Sequence, residues 1–172
     1  GPRFTPFHGG FGLLNTQGIK KPAYFSYSFL NKLGATELQN TDTSSWATKN
    51  AKGDVQVLLW DFTYTLPDSI NNQQYYIKDL PSKPKGTVKI EMTGLQKGKY
   101  KVEIYKVGYK VNDAYTAYIE MNKPSQLTLQ QVKELKQKSN GLPIATEQVT
   151  IDSKGTFSKD FKINENDVVL LN

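Results

Sequence analysis

The apolar positions between Pro22 and Gly34 recur at helical spacing. Pro22 suits the first turn of a helix, where a missing N–H costs nothing, and glycine is typical of the position just after a helix. A short helix is marginal in water, so this one needs a large docking partner. The predicted helix carries one broad apolar face made of Tyr24, Phe25, Tyr27, Phe29, Leu30 and Leu33.

From Thr36 onward the pattern changes to a period of two, which predicts strands. Residues 55–62 are apolar on much of both faces and predict a buried strand. Residues 88–92 and 100–104 alternate on either side of a glycine-bounded turn, which predicts a β-hairpin. Several short strands with turns between them are typical of an antiparallel β-sandwich. Further strands are predicted at residues 74–78, 142–151, 157–163 and 168–171.

A second helix is predicted over residues 127–138, where Thr128 is a suitable N-cap. Residues 112–115, followed by Tyr118, predict a structured polar loop. The sequence therefore predicts a mainly β protein, an antiparallel sandwich with one helix in front of it and one further short helix. The most apolar strand positions predict a core of Trp60, Leu58, Val88, Ile90, Val102 and Ile104.

Composition narrows the possible functions. The chain has 172 residues and no cysteine, which excludes disulfides and thiolate metal sites. It lacks a run of about 18 apolar residues, so no membrane span is predicted. The net charge of +6 suggests nucleic-acid binding, but Arg3 is the only arginine and the lysines are dispersed. We therefore predict no nucleic-acid partner.

The candidate chemical groups are few. The run from Gly9 to Gly12 lacks the spacing of a dinucleotide or phosphate loop. His8 is the only histidine, and together with Phe7 it is a candidate for lining a ligand pocket. A glycosidase needs two carboxylates at a defined separation, and no spacing here singles out a pair. We predict surface or turn positions for Asp61, Asp113, Glu120 and Glu147, and neither a metal site nor a cofactor.

The aromatic residues leave a second class of function open. Trp46, Trp60, Tyr75 and Tyr76 could stack on sugars or fill a sandwich core. A stand-alone carbohydrate-binding sandwich predicts that they form an exposed row. A non-catalytic interaction module that uses the surface of residues 7–33 is the third possibility.

The opening segment closely resembles a passage of one enzyme family. Residues 7–15 (FHGGFGLLN), 18–25 (GIKKPAYF) and 30–34 (LNKLG) resemble the last β–α passage of family-39 glycoside hydrolases, the β-xylosidases related to α-L-iduronidase. The resemblance implies that residues 1–34 close a (β/α)8 barrel and that residues 35–172 form an accessory β-sandwich. It continues more loosely at residues 55–62, 94–95, 100, 112–115, 127–128 and 168–171, with departures at Asp113 and Tyr118, where Asn and Trp are expected.

The resemblance implies a function for the parent chain, a retaining β-xylosidase that hydrolyses β-1,4-xylo-oligosaccharides. Its two catalytic glutamates belong to upstream barrel strands, so no residue here takes a catalytic role and the chain alone is expected to be inactive. Phe7 and His8 would line the pocket rim in the parent. The expected partners are the barrel and, in the parent, the xylo-oligosaccharide, with a second copy of the chain possible through residues 1–34. A soluble bacterial protein is implied, either cytoplasmic or secreted.

Overall fold

The computed structural model describes residues 5–8, 11–64 and 79–172. The predicted strand at 74–78, with Tyr75 and Tyr76, lies outside the described residues, as do Gly9 and Gly10. The elements within these ranges are α1 (Pro22–Leu30), β1 (Thr36–Glu37), β2 (Ser45–Lys49), β3 (Val55–Trp60), β4 (Pro84–Met92), β5 (Gly98–Val107), α2 (Ala114–Glu120), α3 (Leu129–Lys138), β6 (Ala145–Ile151), β7 (Phe157–Asn164) and β8 (Val168–Leu171).

The strands form two antiparallel sheets that pack face to face. One sheet has six strands in the order β1-β2-β3-β8-β5-β6, and the other consists of β4 and β7. Apolar side chains from both sheets fill the space between them, as in a β-sandwich. The predicted mainly β sandwich is therefore confirmed. The main inter-sheet residues are Val57, Leu59, Ile90, Val102, Ile104, Ile151, Phe157, Phe161, Ile163, Val169 and Leu171.

The predicted hairpin between residues 88–92 and 100–104 is wrong. β4 pairs with β7, with Val88 opposite Phe161, whereas β5 lies between β6 and β8 in the other sheet. The alternation correctly marked both segments as strands, but it specifies only which side chains face inward. Two strands on opposite sheets satisfy it as well as two neighbours do. Val88 is also 42% exposed, so it does not belong to the predicted core.

Helix α1 packs on the outer face of the six-stranded sheet. Phe25 and Phe29 are each only 1% exposed and contact Leu58, Tyr105 and Leu170. Leu58 and Trp60 both lie in this second cluster rather than in the inter-sheet core that the sequence predicted, and Trp60 is only half-buried. The described residues therefore have apolar cores on both faces of the large sheet. The exposed residues of the predicted apolar face are Tyr27 and Leu30.

Gly34 does not end helix α1, which stops at Leu30. The backbone N–H of Gly34 donates to Thr48 Oγ1 at 2.9 Å and to Gln56 Oε1 at 3.0 Å. A Cβ at this position would collide with the backbone of Lys49. Glycine is needed here because two segments of main chain touch.

Two helices follow β5, not the one that was predicted. The supposed polar loop is the start of α2, and Asp113 caps it by accepting the backbone N–H of Thr116 at 3.1 Å. Helix α2 has only seven residues, which is too short for a helical period to be visible in the sequence. Helix α3 has the predicted Thr128 N-cap, which forms a full capping box with Gln131.

Candidate functional site

The segment of residues 11–21 is a loop held in shape by one side chain. Asn15 Oδ1 accepts the backbone N–H groups of Gln17 at 3.0 Å and Ile19 at 2.8 Å, and Asn15 Nδ2 donates to the carbonyl of Pro6 at 3.3 Å. The Ile19 side chain is fully buried beneath the loop. With the loop held in this shape by Asn15, three apolar side chains are exposed to solvent, namely Phe11, Leu13 and Leu14.

Phe7 is anchored against helix α2. Its ring centroid lies 5.0 Å from that of Tyr118 and 5.9 Å from that of Tyr115. Tyr118 donates its hydroxyl to the carbonyl of Pro124 at 2.9 Å. Burial raises the pKa of both tyrosines, which keeps the phenols neutral. His8 follows Phe7 at an exposed position.

Asp61 is used for structure. Its Oδ2 accepts the Thr63 hydroxyl at 2.6 Å and the Asn166 backbone N–H at 3.0 Å, and Lys85 Nζ lies 3.7 Å from its Oδ1. The hydrogen bond from Thr63, followed by those from Asn166 and Lys85, lowers the pKa of this carboxyl. Asp61 therefore ties the end of β3 to the β7–β8 turn.

The other three predicted carboxylates also have local partners. Asp113 caps helix α2. Glu120 pairs with Lys110 at 2.7 Å, and this hydrogen bond lowers the pKa of Glu120. Glu147 accepts two hydrogen bonds from Lys159, at 2.8 and 2.9 Å. Each of the four carboxylates is thus held by a local structural partner.

The structure contains a buried ion pair that the sequence did not predict. Lys106 Nζ lies 2.6 Å from Asp167 Oδ2, and Asp167 is only 1% exposed. The same oxygen accepts the Asn164 backbone N–H at 2.8 Å, while Oδ1 faces Gly108, where a Cβ would collide with it. The partners are 61 residues apart and Asp167 lies in a turn, so no local signal could have joined them.

A cleft opens at the opposite end of the sandwich from this ion pair. It has a volume of about 270 Å³ and lies where β8 ends between β3 and β5. Its floor is apolar and its rim polar. Across residues 5–8, 11–64 and 79–172, no group of three metal-ligating side chains comes together. The cleft is lined by Asp54, Val55, Met92, Leu95, Tyr100, Lys101, Val102, Glu103, Val149, Ile151, Phe157, Leu171 and Asn172.

The two tryptophans differ in exposure. Trp46 on β2 is 42% exposed, whereas Trp60 is half-buried beside helix α1. Phe62 and Tyr64, just beyond β3, are also exposed.

Within the described ranges no helix is long and apolar enough to span a membrane.

The sandwich with its flanking helices matches solved structures of glycoside hydrolases. The GH39 enzyme from Xanthomonas axonopodis pv. citri superposes with a TM-score of 0.93 at 34% identity, covering 99% of this chain and 33% of that one. A monomeric β-xylosidase from Caulobacter crescentus CB15 gives a TM-score of 0.91, also at 34% identity, covering 99% of this chain and 34% of that one.

Sequence comparison gives the same class. A β-xylosidase from Caldicellulosiruptor saccharolyticus is 27% identical over 138 residues, which cover 78% of this chain and 26% of the relative. The model of glycosyl hydrolases family 39 matches residues 1–157. The chain belongs to glycosyl hydrolase family 39, and it spans about a quarter to a third of the length of these relatives.

Proposed function

We propose that this chain is the accessory sandwich region of a retaining β-xylosidase that hydrolyses β-1,4-xylo-oligosaccharides. The observation that carries the proposal is the likeness to the Caulobacter β-xylosidase, which extends over 99% of this chain but only 34% of that enzyme. The remaining two-thirds of such an enzyme would contain the catalytic barrel. In this arrangement residues 1–34 complete the barrel, and residues 35–172 form the accessory domain.

The chain itself supplies no catalytic carboxylate in this proposal. Retaining glycosidases need a general acid/base and a nucleophile about 5 Å apart in one pocket. Asp61, Asp113, Glu120 and Glu147 are each held by separate structural partners. Acid, base and nucleophile therefore come from the barrel, and this chain supports it. Neither a metal nor a cofactor is required by this carboxylate chemistry.

The surface that would face the barrel is called the front surface here and consists of residues 5–8 and 11–33. Phe11 is fully exposed, and Leu14, Tyr27 and Leu30 are between 42% and 62% exposed. Exposed apolar side chains in this number support the use of the segment as an interaction surface. Phe7, anchored on helix α2, would hold His8 near the junction, where it lines the rim of the sugar pocket.

A domain exchange tests the proposal. The matching third of the Caulobacter β-xylosidase is replaced by this chain, and hydrolysis of an aryl β-xyloside is measured. We expect the hybrid to be active and this chain alone to give no turnover above background. Activity of the purified chain alone, or a folded hybrid without xylosidase activity, would contradict the proposal. A His8→Ala hybrid that keeps the parental KM would remove His8 from the rim.

The exposed aromatic residues favour a second candidate, a sugar-binding module. Trp46, Phe62 and Tyr64 are all solvent-accessible near the end and edge of the large sheet. If they bind sugar, xylo-oligosaccharides should quench the tryptophan fluorescence, and Trp46→Ala should abolish the effect. A lack of quenching at millimolar sugar would contradict the sugar-binding candidate and leave only the accessory role.

A further inference from the structure

The turn between helix α3 and strand β6 contains the only Asn-Gly pair in the sequence, Asn140 followed by Gly141. The backbone of Gly141 is left-handed, with a φ of +73°, and a Cβ at this position would lie 2.9 Å from the ring of Phe25. Phe25 is buried between helix α1 and the large sheet, so its ring has little room to move. The fold therefore requires glycine directly after Asn140.

An asparagine followed by glycine is able to lose its side-chain amide without an enzyme. The backbone nitrogen of the glycine gives up its proton to solvent base and attacks Cγ of the asparagine. A bond forms between this nitrogen and Cγ, and the side-chain nitrogen leaves as ammonia after taking up a proton. Water then opens the cyclic succinimide at either carbonyl, which gives aspartate or isoaspartate. Glycine favours the attack because it has no Cβ to obstruct it.

In the folded chain the nitrogen that would attack is shielded from solvent. The Gly141 N–H donates to Asn112 Oδ1 at 2.9 Å, and Asn112 is only 6% exposed. Asn112 is itself held in place, because its Nδ2 donates to the carbonyl of Lys106 at 2.8 Å. Solvent base therefore reaches the Gly141 proton only when the turn opens locally and this hydrogen bond breaks.

The carboxamide that would be attacked is held at both of its ends. Asn140 is an exposed residue, so water has access to its side chain. Its Oδ1 accepts the backbone N–H of Leu142 at 2.7 Å, and its Nδ2 donates to the carbonyl of Gln137 at 2.9 Å. These two hydrogen bonds restrain rotation of the carboxamide toward the Gly141 nitrogen. The reactive groups are thus adjacent in sequence but separately restrained in the fold.

We propose that Asn140 is a site of spontaneous deamidation that the folded chain protects and that opening of the α3–β6 turn makes reactive. Isoaspartate would add a methylene to the main chain just before Gly141, which displaces Gly141 from Asn112 and Phe25. The modified turn then no longer fits its place, so a reversible opening becomes an irreversible change. The proposal does not depend on the enzymatic role proposed above.

Incubation of the complete chain at mildly alkaline pH, in water carrying a heavy oxygen isotope, tests the proposal. The isotope enters at the hydrolysis step, and peptide mass spectrometry locates it. The reference is a synthetic peptide of residues 137–143, which has the Asn-Gly pair but no fold. We expect Asn140 to react at least about tenfold more slowly in the folded chain than in the peptide, because opening of the turn must come first. In concentrated urea the chain should react at the rate of the peptide.

A matched pair of variants tests the role of Asn112. Asn112→Gly removes the acceptor of the Gly141 N–H, and glycine tolerates the φ of +51° at this position. Asn166→Gly is the control, since Asn166 also has a positive φ, of +59°, but its side chain bonds to Thr63. We expect Asn112→Gly to speed deamidation of the folded chain by about threefold to tenfold, the effect of one lost hydrogen bond. Asn166→Gly should leave the rate unchanged.

Hydrogen exchange distinguishes local opening from a general loss of stability. In Asn112→Gly the Gly141 amide should exchange faster by the same factor as deamidation, while the amide of Leu170 in strand β8 keeps its rate. If Asn112→Gly does not fold, the unaltered chain in urea below its unfolding transition takes its place. Deamidation of Asn140 should then rise in step with exchange at Gly141.

Three outcomes would overturn the proposal. A folded chain that deamidates as fast as the peptide would show that the turn gives no protection. Equal rates in Asn112→Gly and the unaltered chain would show that the hydrogen bond to Gly141 is not the shield. A chain in concentrated urea that keeps its Asn140 amide would show that this residue is not a site of deamidation.

Discussion

Lys106 and Asp167 form the most deeply buried charge contact among the described residues. Asp167 is 1% exposed, and its second oxygen faces Gly108 without a hydrogen-bond partner among the described residues. Taking a carboxylate out of water is costly unless its charge is compensated. Lys106 therefore holds in place the turn that leads into β8.

Replacing Lys106 by methionine should destabilise the protein by about 3 to 5 kcal/mol, because a buried carboxylate then has no countercharge. The control is Lys101→Met, which breaks the exposed pair with Glu103 and should cost under about 1 kcal/mol. Urea denaturation measures both. Adding Asp167→Asn to Lys106→Met should restore part of the loss. Equal losses for the two single variants would show that the burial of Asp167 has no energetic consequence.

Because the pKa of Tyr105 is raised, we expect the folded protein to lose stability at alkaline pH. Its pKa is raised to about 12, first by burial and then by the hydrogen bond that it donates to Glu103 at 2.8 Å. An ordinary tyrosine in the unfolded chain ionises near pH 10. Between pH 10 and pH 12 the unfolded chain therefore releases a proton that the folded chain keeps. The free energy of unfolding should fall by about 2 to 3 kcal/mol over this interval.

Urea denaturation at stepped pH values checks this loss, with Tyr105→Phe as the control. The lysines titrate in the same range in both proteins, so the difference between the two curves isolates the phenol. Parallel curves above pH 10 would mean that Tyr105 ionises equally in both states.

At the scale of single elements, the sequence predicted what depends on neighbours in the chain. The Thr128 cap is close in sequence to its partner Gln131, and helix α3, which it caps, was correctly predicted. Strands β4 and β5 were also found, but their pairing was not, because their partners are remote in sequence. The Lys106–Asp167 pair was missed for the same reason. Helix α2 was missed because its cap and length resemble those of a polar loop.

Helix α1 shows why an apolar pattern does not give each residue the same importance. Phe29 is 1% exposed on the sheet, whereas Tyr27 on the same helix is 62% exposed. Phe29→Ala should destabilise the protein by about 3 to 5 kcal/mol through loss of burial and the cavity that remains. Tyr27→Ala should change stability by less than about 0.5 kcal/mol. Thermal and urea unfolding of the two variants give the comparison, and similar losses would mean that α1 does not pack as described.

At the scale of the whole molecule, the exposed apolar residues of the front surface lead us to expect that this chain associates with itself in solution. We expect light scattering to show a mass that rises with protein concentration. Leu30→Glu should suppress the rise, because it places a charge in the contact. Val88→Glu on β4 is the control, since Val88 is equally exposed, 42%, but lies away from the front surface. A constant monomer mass for the unaltered chain would show that the front surface does not bind a second copy of the chain.

The crossing of the chain between sheets has a consequence for synthesis on the ribosome. β4 pairs with β7, roughly seventy residues later, and β3 pairs with β8, over a hundred residues later. Translation adds about 5 to 20 residues per second, so β4 emerges several seconds before its partner exists. During that interval its backbone edge is open to other chains. The nascent protein is thus open to aggregation through β4 until β7 is made, and slowing translation between these two strands should lengthen that exposure.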